Sequence, residues 1–181
     1  MGKLLVVGVA CAAAWYYFVG RAKLDEDMVR QFYVDEAHAI LSRDPEALCT
    51  LMSSELVLTQ QMVGSEPTGS KIFNKKQACE AQHKAFQAYK ELGDKVDGIL
   101  TIEYDYTIDS IALSPNRKAA TVQVSHTLKV GEALLQFRAV STDELDRQWG
   151  MVRVAKADSK TNVRVHLEGL RDPAKFLQAA P

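Results

Sequence analysis

The change in hydrophobic period near residue 100 constrains this 181-residue chain more than any other feature of its sequence. Every second residue from Leu100 to Ile108 is apolar, which predicts a strand with one buried face. Similar runs follow at residues 122–130, 133–139, 149–155 and 162–167. Turn sequences stand at Ser114–Arg117 and at Gly131. Consecutive strands joined by short turns predict an antiparallel sheet.

Before residue 100, the apolar residues are spaced as they are in helices. Residues 27–43 carry one helical stripe, and Asp44 followed by Pro45 is typical of the start of a second helix. Leu56–Leu58 predicts a short strand. Gly64–Ser70 contains a proline and a glycine, which predicts a loop.

A third helix is predicted over Asn74–Leu92. Asn74 and Gln77 have the spacing of a capping box, and Gly93 is a favourable residue just after a helix end. Helices that precede a run of strands predict an α+β domain. We expect three helices packed on the concave face of a curved antiparallel sheet.

An apolar run of sixteen residues, Leu4–Val19, stands near the N-terminus. Aromatic side chains of the type found at membrane interfaces lie near its end, and basic residues flank it. The aromatic residues are Trp15, Tyr16 and Tyr17, and the basic residues are Lys3, Arg21 and Lys23. This pattern predicts an uncleaved single-pass helix in an inner membrane, with the larger part of the chain in the periplasm.

Two alternatives to the membrane anchor remain open at this point. One is a signal peptide cleaved near Ala12–Ala14, and the other is a lipoprotein modified at Cys11. The expected domains are the anchor at 1–23, the α+β domain at 24–170 and a C-terminal tail at 171–181.

Charge and motif content exclude several functions. The formal net charge is −1, which argues against a general nucleic-acid binder. The sequence has no phosphate-binding glycine loop, no dinucleotide-binding pattern and no G-x-S-x-G motif. Its four histidines lack the spacing of metal ligands. We therefore expect neither a metal nor another cofactor.

Five short stretches of the sequence carry a further signal, namely Phe32–Ile40, Arg43–Leu48, Ile108–Ile111, Phe137–Ala139 and Gly150–Val152. Together with the order of the predicted elements, they resemble the NTF2-like superfamily of cone-shaped α+β domains. The resemblance covers roughly residues 27–168. It implies a pocket between the helices and the concave face of the sheet, and it implies that two open sheets pair in a homodimer.

Members of this superfamily differ widely in function. They include isomerases, dehydratases, polyketide cyclases and transport factors. They also include non-enzymatic membrane-anchored components, such as the periplasmic domains of type IV secretion proteins. The resemblance therefore implies a shape rather than an activity.

Glu36 is the first candidate for chemistry, because it falls within the apolar stripe of the first helix. Burial raises the pKa of a carboxyl group and makes it a candidate acid or base. His126 is the second candidate, since a histidine can move a proton near neutral pH. The predicted ligand pocket comprises Tyr33, Glu36, Tyr104, Tyr106, His126 and Phe137. The alternatives are a Glu36 that reaches solvent at the edge of the stripe and aromatic side chains that only fill the core.

Carboxylates on the strands are expected to face away from this pocket. Glu103, Asp105 and Asp109 alternate with the apolar residues, and Ser141–Trp149 is interpreted as an acidic hairpin tip. In the isomerases of the resembling superfamily an inward Asp or Glu is the base, so this pattern departs from theirs.

Cys49 and Cys79 lie on separate predicted helices and form a candidate disulfide if the domain is exported. They are equally well interpreted as small buried hydrophobic residues.

Two functions remain in competition. The first is a membrane-anchored, non-catalytic domain that binds a partner protein or an apolar ligand in the cell envelope. The second is a small cofactor-free enzyme of the isomerase, dehydratase or cyclase type. Convergence of Glu36, Tyr104, Tyr106 and His126 on one cavity would favour the second.

Overall fold

The computed structural model describes residues 23–63, 67–95, 100–131 and 135–165. The helices are α1 (Glu26–Leu41), α2 (Pro45–Thr50) and α3 (Lys75–Lys95). The strands are β1 (Met52–Val63), β2 (Pro67–Asn74), β3 (Ile102–Leu113), β4 (Ala119–Val130), β5 (Leu135–Gln148) and β6 (Met151–Val165). The predicted α+β architecture, with helices before most of the strands, is confirmed.

Side chains before each helix satisfy the free backbone N–H groups at its start. The Asp25 carboxylate accepts a 2.8 Å hydrogen bond at the start of α1, and the Asp44 carboxylate accepts one of 2.9 Å at the start of α2. At the start of α3, Asn74 and Gln77 exchange two bonds of 3.0 Å, which is the predicted capping box. Gly93 does not end this helix, because α3 continues to Lys95.

The six strands form one curved sheet in the order β2-β1-β6-β5-β4-β3. All neighbours are antiparallel except β1 and β6, which run parallel. The prediction of a purely antiparallel sheet is therefore wrong. A strand's residue pattern determines which face is buried, whereas the direction of a partner that lies a hundred residues away depends on the path of the whole chain.

Strand β1 is longer than the short strand that the sequence predicted. The short strand at Leu56–Leu58 is the middle of a strand of 12 residues, because β1 pairs with β2 on one side and with β6 on the other. Pro67–Ser70 belongs to β2 and not to a loop. Proline is tolerated there because it is the first residue of an edge strand.

The acidic segment at 141–149 is also different from the prediction. It is the second half of β5, and the hairpin turns at Trp149 and Gly150, whose φ angles are 54° and 85°. Beyond this turn β6 is one strand of 15 residues rather than two. The clustered charges indicated a turn, but the segment is a strand with Glu144 on its exposed side and Asp143 on its buried side.

Helix α1 packs on the concave face of the sheet and forms the main core with it. The cluster of fully buried side chains contains Leu24, Val29, Tyr33, Val122, Val124 and Leu145. Burying aliphatic and aromatic side chains of this size contributes about 1.5–3 kcal/mol each relative to exposure. This contact holds the inward side of α1 against β3, β4 and β5.

None of the helices among the described residues has both the length and the apolar character needed to cross a membrane. The predicted anchor, Leu4–Val19, lies outside the described residues, as do the tail at 171–181 and residues 166–167 of the last predicted strand.

Candidate active site

Glu36 lies on the same side of α1 as the core residues that precede it. Residues three positions apart lie on one face of a helix, so Glu36 follows Tyr33 by roughly one turn. Its carboxylate is half-buried and points toward the sheet, where the Tyr104 hydroxyl donates a 3.2 Å hydrogen bond to Oε2.

Two neighbouring strands bring Tyr104 and His126 together. Tyr106 of β3 is opposite His126 of β4, and Tyr104 is one cross-strand pair further along, opposite Leu128. Side chains two residues apart on a strand point to the same face, so Tyr104 reaches His126 diagonally. The Tyr104 hydroxyl oxygen is 2.6 Å from His126 Nδ1, and the two rings stack with centroids 5.9 Å apart.

The three groups form a chain that can hold its protons in two ways. Tyr104 has one hydroxyl proton. If Tyr104 donates it to an ionised Glu36, then His126 Nδ1–H donates to the Tyr104 oxygen. If Glu36 is protonated and donates to Tyr104, then Tyr104 donates to a bare Nδ1. His126 is neutral in both arrangements, so a bare Nδ1 means that Nε2 carries the ring proton. The first arrangement therefore contains two protons and the second three, so the chain can take up or release a proton.

Burial determines the charges in this chain. It raises the pKa of Glu36 to about 8, with a further contribution from the negative charge of Asp143, and the hydrogen bond from Tyr104 opposes the rise. Burial lowers the pKa of His126 to about 4, so its ring is neutral at pH 7. Burial and the nearby Glu36 carboxylate raise the pKa of Tyr104, so its hydroxyl keeps its proton.

A second carboxylate, Asp143 on β5, faces the same interior. It is only 7 % exposed, and the Tyr33 hydroxyl donates a 2.9 Å hydrogen bond to its Oδ2. The Ser141 hydroxyl donates to the other carboxylate oxygen. Burial raises the pKa of Asp143, although both hydrogen bonds favour its charged form. Asp143 therefore has two donors but no cation beside it among the described residues.

Asp143 is the functional candidate that the sequence interpretation missed. The signal was present, because Ser141, Asp143 and Leu145 continue the period-two phase of Leu135 and Phe137. All three are buried, whereas Thr142 and Glu144 between them are exposed. The statement that strand carboxylates face outward holds for Glu103, Asp105 and Asp109, which are exposed, and it is wrong for Asp143.

The aromatic residues join the two carboxylates into one site. Tyr106 stacks on Tyr33 with ring centroids 5.8 Å apart and lies 6.3 Å from the ring of Tyr104. Phe137 is opposite Leu128, which is opposite Tyr104, so Phe137 belongs to the same row of the concave face. The Phe137 side chain has no polar atom, so it contributes apolar surface only.

The remaining histidines lie elsewhere. His38 is exposed on α1, and His83 of α3 lies 3.2 Å from the Glu46 carboxylate, whereas His166 is outside the described residues. In the part of the chain that the structure describes, no three His, Cys, Asp or Glu side chains are grouped as metal ligands would be.

A disulfide joins Cys49 of α2 to Cys79 of α3, with Cα atoms 5.5 Å apart. The two cysteines are 30 positions apart in sequence, and the closed loop contains the whole β1–β2 hairpin.

Comparison with solved structures defines the fold. An NTF2-like protein of unknown function from Shewanella oneidensis is 17 % identical, with a TM-score of 0.53 over 76 % of this chain and 99 % of that one. A ketosteroid isomerase-like protein from Erwinia carotovora is 12 % identical, with a TM-score of 0.52 over 75 % and 94 %. A hexachlorocyclohexane dehydrochlorinase (LinA) is 14 % identical, with a TM-score of 0.53 over 81 % and 91 %.

No protein-family model matches the chain, and no curated protein is detectably similar to it in sequence. The likeness to these solved structures shows that the described residues have the NTF2-like fold, as the sequence resemblance implied. The fold and the site together define a small α+β domain of the NTF2-like fold with hydrogen-bonded acid–base groups on the concave face of its sheet.

Proposed function

We propose that this chain is a cofactor-free enzyme that transfers a proton to or from a small, mainly apolar molecule bound on the concave face of its sheet. The observation that carries the proposal is the Glu36–Tyr104–His126 hydrogen-bonded chain. A carboxyl group whose pKa lies near neutrality can act as a base or as an acid at pH 7.

Each group has a role that follows from its environment. The ionised form of Glu36 accepts a proton from a substrate carbon. Because the neutral Glu36 no longer needs the Tyr104 proton, the Tyr104 hydroxyl then donates to the oxygen on which negative charge develops, while His126 Nδ1–H donates to the Tyr104 oxygen. His126 is neutral and orients the Tyr104 hydroxyl through Nδ1. Asp143 keeps the pKa of Glu36 high through its charge, so it is a positioning residue and not a catalytic one.

The charge of the site favours a neutral substrate. It contains two carboxyl groups, and among the described residues no lysine or arginine forms a hydrogen bond or ion pair with either. The row next to Tyr104 is apolar and contains Leu128 and Phe137. Proteins with this fold include ones named hexachlorocyclohexane dehydrochlorinase and ketosteroid isomerase-like. Hexachlorocyclohexane and a ketosteroid, the molecules in these names, are both small and apolar.

Deuterium exchange tests the proton transfer without knowledge of the natural substrate. The protein is incubated with a panel of cyclic ketones in D2O, and loss of the signals of the protons next to the carbonyl is followed by NMR. We expect exchange faster than in buffer alone, and a loss of about 10²-fold or more in Glu36→Gln. Asp35→Asn is the matched control, because Asp35 is the neighbouring carboxylate and is exposed.

Two outcomes contradict the enzymatic proposal. One is a wild-type protein that is no faster than buffer on the whole panel, and the other is an unchanged rate in Glu36→Gln. If native mass spectrometry then detects a retained small molecule that Glu36→Gln or His126→Ala releases, the domain binds a ligand without catalysis, which is the competing function.

We also propose that Leu4–Val19 anchors the domain to an inner membrane and that the domain lies in the periplasm. The support is the apolar run in the sequence together with the Cys49–Cys79 disulfide, since disulfides persist in oxidising compartments. We expect the full chain to stay in the membrane pellet after carbonate washing and to be cleaved by protease added to spheroplasts. A mature protein that lacks the first residues would instead indicate a cleaved signal peptide.

A homodimer or an envelope protein partner is a further proposal, and the sequence resemblance is its support. Native mass spectrometry of the detergent-solubilised full chain tests it directly. A dimer or a co-purifying protein would support the proposal, and a monomer at micromolar concentration would contradict it.

A further inference from the structure

The turn between β5 and β6 places a tryptophan where turns seldom carry one. Gln148 and Met151 are the last cross-strand pair, so Trp149 and Gly150 form a two-residue turn with positive φ at both positions. Asn, Asp or Gly is preferred at the first of these positions. A left-handed conformation is unfavourable for other residues, because Cβ comes too close to the following carbonyl oxygen. Trp149 is also 93 % exposed, so it contributes almost nothing to the core.

The surface beside Trp149 carries both apolar and polar side chains, and the polar ones include Gln31, Asp35 and Arg147. Met151 is 49 % exposed, and a cleft of about 270 Å³ opens next to it between α1, the end of α2 and the β5–β6 turn. The apolar residues that line this cleft are Met28, Phe32, Leu51, Met151 and Val152. This cleft is separate from the candidate active site, because neither Glu36, Tyr104 nor His126 lines it.

The same turn holds the start of the described chain. Arg147 Nη1 donates a 2.9 Å hydrogen bond to the carbonyl oxygen of Lys23, the first described residue. Lys23 follows Val19, the last residue of the apolar run, by four positions. Four residues span at most about 14 Å when extended. The turn therefore lies close to the end of the proposed membrane anchor.

We propose that the Trp149 turn, together with Met151, inserts into the headgroup region of the bilayer that holds the anchor. Tryptophan favours this region, because its ring is apolar and its N–H can still donate a hydrogen bond. Asp25, Glu26 and Asp27 lie close to Lys23 in sequence, so attraction to anionic lipid does not provide the contact. The contact would orient the domain on the membrane surface. The inference rests on the proposed anchor.

The two tryptophans of the chain allow the anchor and the turn to be tested separately. The full chain is reconstituted in phosphatidylcholine vesicles containing lipid that is brominated near the headgroup or deep in the acyl chains. Trp15→Phe leaves Trp149 as the reporter of the turn, and Trp149→Phe leaves Trp15 as the reporter of the anchor. Bromine quenches the fluorescence of a tryptophan that contacts it.

A third reporter controls for unspecific adsorption of the domain. Val140 is another exposed apolar residue of β5, 60 % exposed, and nine positions separate it from Trp149. In a strand this is a distance of about 30 Å. Val140→Trp in a chain without the two natural tryptophans therefore reports a surface that should stay in water.

We expect shallow bromine to reduce Trp149 emission roughly twofold, because its ring would lie in the interface, and to leave the tryptophan at position 140 unchanged. If Trp15 is quenched and Trp149 is not, the anchor stands and the inference is overturned. If Trp15 is not quenched, the anchor fails and the inference fails with it. Equal quenching of all three reporters indicates unspecific adsorption and also overturns it.

Discussion

Glu36 is the residue whose environment has the clearest measurable consequence. Its pKa rises from 4.5 to about 8 on folding, so the folded protein holds the proton more tightly than the unfolded chain does. Stability from this group is present at low pH and is lost as pH rises toward 8. Between pH 6.5 and 8 the loss is at most about 2 kcal/mol, at 1.36 kcal/mol per pKa unit. Because Glu36 is half-buried, solvent screening makes the loss of stability smaller than this limit.

We expect Glu36→Gln to remove this pH dependence, since an amide does not titrate. The measurement is the free energy of unfolding in denaturant at pH 6.5 and at pH 8. The window begins at 6.5 because His126, whose pKa is lowered to about 4, contributes stability that is lost only as pH falls below 6.5. Asp35→Asn should keep the wild-type slope, and a variant Glu36→Gln with that same slope would contradict the assignment.

Asp143 raises the pKa of Glu36 through its negative charge. Asp143→Asn removes the charge and can still accept a hydrogen bond from Tyr33, so we expect the pKa of Glu36 to fall. The side-chain carboxyl signal of Glu36 in a ¹³C NMR titration measures this. Asp105→Asn, which removes an exposed outward carboxylate of β3, should leave the pKa nearly unchanged. An equal shift in both variants would mean that Asp143 has no specific effect.

At the scale of the elements, the N-terminus of α3 is specified most clearly by the sequence. Asn74 and Gln77 satisfy one another's backbone N–H groups at 3.0 Å. We expect Asn74→Ala to lower the free energy of unfolding by about 1 kcal/mol, because one N–H at the helix start loses its acceptor. Asn74→Asp retains an acceptor and should restore most of the stability. Equal losses in the two variants would show that the capping bond is not the cause.

Strand β5 shows how an element can be misread. Its outward residues include Thr142 and Glu144, and its inward residues include Ser141 and Asp143. Four polar residues in succession indicate a turn when the segment is considered alone. They form a strand because β4 and β6 pair with β5 on its two sides. The hydrogen bond from the Tyr33 hydroxyl also lowers the free-energy cost of burying Asp143.

At the scale of the whole molecule, the Cys49–Cys79 disulfide limits the freedom of the unfolded chain. It closes a loop with a sequence separation of 30 residues. The chain-entropy relation for a loop of this length gives a stabilisation of about 3–4 kcal/mol. We expect a loss of that order in Cys49→Ser/Cys79→Ser, measured by denaturant unfolding. Dithiothreitol should lower the wild-type stability to the same value and should not affect the double variant.

The sequence by itself determined the features that depend on near neighbours along the chain. The starts of α2 and α3 follow from Asp44 and from the Asn74–Gln77 pair, and the buried faces of β3 and β4 follow from strict alternation. The position of Glu36 in a helical stripe made it a candidate for the site, but the stripe left open whether its carboxylate reaches solvent. These features were predictable because a helix or a strand repeats within a few residues, so local chemistry specifies which side is buried.

Only the tertiary structure decided which buried sides meet. Glu36 and Tyr104 are 68 positions apart, and Tyr33 and Asp143 are 110 apart. The parallel pairing of β1 with β6 also joins distant parts of the chain. Such contacts depend on how the whole sheet curves around α1, and no local pattern encodes that curvature. The candidate residues could therefore be named from the sequence, whereas the Glu36–Tyr104–His126 hydrogen-bonded chain and the second carboxylate required the fold.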